Sequence, residues 1–163
     1  MISSQLVKTV WRNPIHIIAF GFGAGLAPFA PGTFGTLVAL PIFYYCAGIS
    51  LLNYILIVSA CFLAGIWICQ ITTKNLQTHD HPGIVWDEVV GYLVTMIAVP
   101  AEWPWLIIGF LLFRIFDIWK PWPIRVIDQQ VKGGLGVMLD DVIAGLFGLA
   151  IIHFLLLAGV NFT

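Results

Sequence analysis

Long runs of apolar residues separated by short polar breaks dominate the pattern along this chain. Five apolar segments are predicted as helices, at 33–50, 51–71, 89–100, 103–113 and 142–160. Only the polar break at Ser50 and Asn53 divides the first two segments, which predicts a tight helical hairpin. The third and fourth segments are brief for a membrane span, which needs about 20 residues. This pair is therefore predicted either as a second hairpin that starts inside its polar flanks or as a re-entrant element.

The composition of the chain indicates which solvent surrounds these segments. Of the 163 residues, 60% are hydrophobic and only 9% are charged, whereas soluble chains carry about 25% charged residues. A chain of this size still exposes a large surface after folding, so a water-soluble monomer is disfavoured, and intrinsic disorder is excluded. Pattern and composition together predict an all-α fold, a polytopic membrane helical bundle in one domain over 1–163, with about four to five membrane segments.

The few charged residues are distributed unevenly. With the N-terminus inside the cell, all 7 basic residues fall on the cytoplasmic side of the five segments, which is the positive-inside pattern. The acidic residues follow them, and Glu102 alone lies on the opposite side. A net charge of −1 gives nucleic-acid binding no electrostatic support. The distribution predicts a multi-pass membrane protein whose active site lies on the cytoplasmic face.

A glycine- and proline-rich stretch at 21–36 precedes the first long apolar run. A glycine-rich turn that enters a helix offers backbone N–H groups to an anion, and the helix dipole adds to the attraction. Thr33 is suited to cap the helix that follows. The stretch is neither a Walker loop nor a Rossmann fingerprint, and glycine packing in a membrane-buried turn explains it equally well.

Two pairs of adjacent acidic residues stand where polar segments meet apolar ones. They are Asp87 with Glu88 and Asp140 with Asp141. Acidic residues complement the start of a helix, which is a purely structural explanation of each pair. Carboxylates beside a membrane nevertheless need a neutralising partner, and both pairs fall on the same predicted face. Together they predict an oxygen-ligand site for Mg²⁺, to which Asp80 could add a further oxygen.

A third charged segment carries Arg114, Asp117 and Lys120, which are spaced three apart and share one face of a helix. An ion-pair ladder at the membrane interface explains this spacing in structural terms. In a chemical interpretation, Asp117 is a metal ligand or an acid–base group, and the two cations bind a phosphate. The two interpretations are compatible.

Four motifs, taken in order, resemble the phosphatidylglycerophosphatase A family. They read G-x-G-x-G-L-A-P-x-A-P-G-T-x-G-T, I-V-W-D-E-x-x-G, F-R-x-F-D-I-x-K-P-x-P-I and L-G-V-M-L-D-D-x-x-A-G. The resemblance extends from about Gly21 to about Gly148. It implies an all-helical, Mg²⁺-dependent lipid phosphatase of the bacterial inner membrane, surrounded by membrane lipids. The implied reaction removes the terminal phosphate of phosphatidylglycerophosphate, giving phosphatidylglycerol and inorganic phosphate.

Residue roles follow as a hypothesis. The predicted metal ligands are Asp87, Glu88, Asp140 and Asp141. The predicted catalytic residues are Asp80, Asp87, Asp117 and Asp141. The side chains predicted to hold the substrate phosphate are Thr33, Thr36, Arg114 and Lys120. Attack by water and attack through an aspartyl-phosphate intermediate both remain open.

Two other classes of function compete with this hypothesis. A small transporter or channel for divalent cations would also bind ions at membrane-edge acids, but it predicts acids within the spans or on both faces. Glu102, as one acid on the opposite side, gives little support to such a path. A purely structural membrane subunit would leave the paired acids and the glycine-rich stretch unexplained.

Overall fold

A computed structural model describes residues 4–78 and 81–162 of the chain. Within these ranges every regular element is a helix and there is no strand, so the predicted all-α fold is confirmed. The elements are α1 (Ser4–Arg12), α2 (Pro14–Ala19), a 3-10 helix (Gly21–Leu26), α3 (Pro31–Cys46), α4 (Leu51–Leu76), α5 (Trp86–Thr95), α6 (Trp103–Trp119), α7 (Ile124–Gln130) and α8 (Gly133–Leu157).

Two helices of the described chain, α4 and α8, are long and apolar enough to cross a membrane, with 26 and 25 residues. Helices α3, α5 and α6 have 16, 10 and 17 residues and fall short of the roughly 20 residues of a full span. Helices α4 and α8 therefore support membrane association, whereas the four to five membrane segments stay a prediction.

The turn predicted between the first two apolar segments is present, but the two helices do not form a tight packed hairpin. The Ser50 hydroxyl caps α4 by accepting a hydrogen bond from the backbone N–H of Asn53 at 3.3 Å. Helix α3 packs mainly on α5, and α4 packs mainly on α8. The short α5 therefore contacts helices on several sides, which explains why nearly all of its residues are buried.

Helices α5 and α8 make the most extensive contact between elements of the described fold. A Cβ atom added to Gly145 would lie 2.4 Å from the carbonyl oxygen of Gly91. A Cβ atom on Gly91 would lie 2.8 Å from the carbonyl oxygen of Asp141. Small residues at helix crossings let two backbones approach closely. Here the approach brings the acidic start of α5 beside Asp141.

Gly145→Val should destabilise the fold, because its side chain would press on the backbone of Gly91. Overpacking of this kind typically costs about 1–3 kcal/mol. The measurement is the thermal unfolding temperature of the protein in detergent. Leu146→Val, at the exposed neighbouring position, is the matched control and should unfold near the wild-type temperature. Equal unfolding temperatures for the two variants would show that the crossing is not tightly packed.

The charged segments lie deeper in helices than the sequence predicts. Helix α8 begins at Gly133 and not at 142, so Asp140 and Asp141 are inside a helix and do not open one. The glycines before them serve packing, since a Cβ on Gly134 would lie 2.0 Å from the carbonyl oxygen of Ile66. Likewise, α6 continues to Trp119, beyond the apolar segment predicted at 103–113.

Candidate active site

The starts of α3, α5 and α8, the end of α6 and the short α7 meet at one end of the helical bundle. They surround a pocket of about 270 Å³. Of the charged residues that the structure describes, six acids and two cations line it: Asp87, Glu88, Asp117, Asp128, Asp140, Asp141, Arg114 and Lys120. The prediction that the acids of separate segments converge is therefore confirmed for the described residues.

Three of these carboxylates form a compact cluster. One oxygen from each of Asp87, Glu88 and Asp141 lies within 4.8 Å of the others. Each side chain also has a buried oxygen without a hydrogen-bond partner in the described structure, namely Asp87 Oδ1, Glu88 Oε2 and Asp141 Oδ2. Buried carboxylate oxygens are costly when nothing compensates their charge. The cluster therefore has the donor atoms and the charge that a divalent cation needs.

The start of α5 lies outside the two long apolar helices, and burial raises the pKa of both of its acids. Burial raises the pKa of Asp87 well above its ordinary value, and the nearby charge of Glu88 raises it further. Burial also raises the pKa of Glu88, to about 7, although Arg114 lowers it. A bound cation would oppose these shifts, because a nearby positive charge favours the ionised form of a carboxyl group.

Arg114 and Asp117 form an ion pair one turn apart on α6. The same guanidinium lies 3.8 Å from Glu88 Oε1, so it connects the end of α6 to the carboxylate cluster. The guanidinium Nε has no hydrogen-bond partner in the described structure although it is buried. One donor of Arg114 therefore has no acceptor in the described structure.

Lys120 does not extend the predicted ion-pair ladder along α6. It ends that helix in the left-handed backbone region, with φ of 46°, and its side chain leaves the helix face. Its Nζ donates to Asp128 Oδ1 at 2.7 Å and to Asp140 Oδ2 at 2.6 Å. Burial acts to lower the pKa of Lys120, but the two carboxylates outweigh it and raise the pKa above its ordinary value. Lys120 is therefore a firmly charged cation at the pocket.

The structure does not bring Thr33 and Thr36 to the pocket. The Thr36 hydroxyl is fully buried and donates to the carbonyl oxygen of Gly32 at 2.9 Å, within α3. Such hydrogen bonds to the preceding turn are common for Thr in helices. Of the α3 residues, Pro31 and Gly32 line the pocket and Thr33 does not. The pocket as described gives no support to the predicted contact of these two hydroxyls with the phosphate, which stays a prediction.

The glycine-rich turn before α3 has a packing role in this structure. It forms the 3-10 helix, where a Cβ on Gly25 would lie 1.9 Å from the carbonyl oxygen of Gly83. No residue of this 3-10 helix is among those that line the pocket in the described structure. The predicted catalytic residue Asp80, with its neighbour His79, lies outside the described residues.

Asp128 and Gly32 contribute to the pocket but are not among the predicted site residues. Helix α7 packs against α8, and Asp128 on α7 accepts a hydrogen bond from Lys120. The two residues are eight positions apart, a spacing that does not place them on one face of a helix. Gly32 matters because it has no side chain and so leaves room for Glu88: an added Cβ would lie 2.1 Å from Glu88 Oε1. Its place in the motif G-T-x-G-T was the available signal, although the sequence alone gave it a different role.

The fold and the pocket together define the class of this protein. It is a helical, membrane-associated protein with an acid-lined polar pocket at one end of the bundle. The family model for Phosphatidylglycerophosphatase A matches residues 17–156. The chain belongs to this family, and the resemblance inferred from the four motifs is confirmed.

Individual relatives agree with the family match. Phosphatidylglycerophosphatase A of Escherichia coli K12 is 44% identical over 144 residues, which cover 88% of this chain and 84% of the relative. Phosphatidylglycerophosphatase A of Haemophilus influenzae is 40% identical, with 92% and 93% covered. A putative phosphatidylinositol-3-phosphatase of Bacteroides thetaiotaomicron is 41% identical, with 83% and 89% covered. No solved structure matches the chain significantly.

Proposed function

We propose that this protein is a phosphatidylglycerophosphate phosphatase of bacterial phospholipid synthesis that works in the inner membrane. Its family and its named relatives support the reaction. The observation that carries the proposal is the pocket, where a cluster of carboxylates with unpartnered oxygens lies beside two cationic side chains. The proposed orientation places this pocket on the cytoplasmic side, as the positive-inside pattern predicts.

The carboxylate cluster fits the Mg²⁺ ion that the motif resemblance implies. Hard divalent cations prefer carboxylate oxygens, and the oxygens left without partners supply them. Asp87, Glu88 and Asp141 would hold the ion, and Asp140 would add Oδ1 because only its Oδ2 is bound to Lys120. When bound, Mg²⁺ supplies charge neutralisation and Lewis-acid polarisation of a phosphate oxygen.

The cations of the pocket have a separate role in this proposal. A phosphate monoester carries negative charge into a pocket lined mainly by acids, so it needs fixed positive partners. Arg114 and Lys120 would bind its non-bridging oxygens, since charge-assisted hydrogen bonds are the strong ones. Asp117 orients the guanidinium of Arg114 through their ion pair. Asp117 is also our candidate base for an attacking water, with Asp80 as the other candidate.

A transporter of divalent cations is not supported. The described acids gather at one end of the bundle, and Glu102, at the N-cap of α6, is the described acid at the opposite end. A transport path would need acids along its length or at both ends. The family match is to a phosphatase.

Phosphate release from defined lipids tests the proposal. The purified protein in detergent should release inorganic phosphate from phosphatidylglycerophosphate, lose this activity in EDTA and regain it when Mg²⁺ is added in excess. Phosphatidylinositol 3-phosphate is the comparison lipid, because one relative is named for that activity. Absence of release from phosphatidylglycerophosphate would overturn the function, and release that EDTA does not reduce would overturn the metal.

A further inference from the structure

Lys120 is held by two carboxylates that differ in their freedom to move. Asp140 lies within the long helix α8, and its side chain is only 8% exposed. Asp128 lies on α7, a helix of seven residues, and its side chain is 35% exposed. Water can therefore replace Lys120 as the hydrogen-bond partner of the partly exposed Asp128 carboxylate. The buried Asp140 carboxylate has much less access to water. Of the two ion pairs, the one with Asp128 is the easier to break.

A substrate phosphate that reaches Lys120 meets the negative charge of Asp128. The two oxygens on Lys120 Nζ are close, at 2.7 Å for Asp128 and 2.6 Å for Asp140. A phosphate oxygen that binds the same ammonium group comes within a few ångströms of both carboxylates, and like charges at that separation repel strongly in a partly buried site. The carboxylate that can turn toward solvent relieves this repulsion.

We infer that Asp128 occupies, in the free protein, the hydrogen-bonding position on Lys120 that the substrate phosphate takes when it binds. In the free protein it accepts a hydrogen bond from Lys120 and holds the ammonium group at the pocket beside Asp140. When the phosphate arrives, Lys120 exchanges Asp128 for a phosphate oxygen and keeps Asp140. Asp128 is thus a positioning residue that competes with the substrate. This inference rests on the proposed function, because it assumes that the ligand of the pocket is a phosphate monoester.

Asp128→Asn tests the competition, because it removes the carboxylate charge and keeps the size of the side chain. The KM for phosphatidylglycerophosphate should fall by about threefold or more, the order of effect of a partly exposed ion pair. The inhibition constant of inorganic phosphate should fall in parallel, whereas kcat should not rise. Asp128→Ser is a second variant with the same expected direction, in case Asp128→Asn is unstable. A merely structural role for Asp128 would raise KM or lower kcat.

Two matched controls separate the exchange from a general effect of charge. Asp128→Glu retains the carboxylate and should keep KM near the wild-type value. Gln129→Lys changes the net charge by the same amount as Asp128→Asn at the exposed neighbouring position, but it leaves the pair of Asp128 and Lys120 in place. It should lower KM much less.

The outcomes are distinct. An unchanged or higher KM in both Asp128→Asn and Asp128→Ser would overturn the inference, and so would an equal fall of KM in Gln129→Lys. Failure of the wild-type protein to release phosphate would instead overturn the proposed function. The same assay, in detergent with saturating Mg²⁺, serves every variant.

Discussion

Asp141→Asn is expected to abolish phosphate release while the protein still folds and inserts. The Asp141 carboxylate is buried on α8 beside those of Asp87 and Glu88, and its Oδ2 has no hydrogen-bond partner in the described structure. Asn keeps the shape but removes the charge that a cation requires. We expect a loss of at least about 100-fold in kcat/KM, the size seen when one electrostatic contact to a developing charge is removed. Asp87→Asn should behave in the same way.

Thermal stability distinguishes this loss from misfolding. Three buried carboxylates close together repel one another, so removing one charge in the absence of metal should leave the unfolding temperature unchanged or higher. Glu102→Gln removes an acid at the opposite end of the bundle and is the control that should keep full activity. Full activity in Asp141→Asn and Asp87→Asn would show that the cluster is not the catalytic site.

The apolar runs predicted the helices well but not where they begin. The segment expected at 142–160 is a helix from Gly133 to Leu157, and Gly133, Gly134 and Gly136 in its first turn let it approach its neighbours closely. Periodicity and composition show which residues avoid water. They do not show which backbone lies against a glycine, so both the helix start and the packing of α3 on α5 needed the tertiary structure.

The positions of most of the acidic site residues were predictable, because a charged side chain beside an apolar segment is energetically unfavourable without a partner. An acid beside an apolar run needs a partner, and this reasoning led to the convergence of Asp87, Glu88 and Asp141 from separate segments. This reasoning gives no guide for Thr36, which is not an acid and whose hydroxyl donates within its own helix. It also missed Asp128, because no local spacing links this residue to Lys120 and only the tertiary structure brings the two together.

Gly32→Ala should reduce activity strongly with little effect on folding. The added Cβ would lie 2.1 Å from Glu88 Oε1 and 3.0 Å from Arg114 Nη1. Both atoms are at the ends of long side chains, which can move away at modest cost to the fold, and Ala is the better helix former. The displaced groups belong to the proposed site, where a shift of about 1 Å can cost about 100-fold in rate. We expect a loss of that order in kcat/KM.

A double-mutant cycle shows whether the effect of Gly32→Ala passes through Glu88. If it does, adding Gly32→Ala to Glu88→Gln should cost much less than the same change in the wild-type protein, because neighbouring residues that act as a unit are not additive. Gly48→Ala is the matched control, since an added Cβ there meets no atom within 4 Å, and it should keep wild-type activity. Additive losses in the cycle, or wild-type activity in Gly32→Ala, would mean that the first turn of α3 does not set the position of the Glu88 carboxylate.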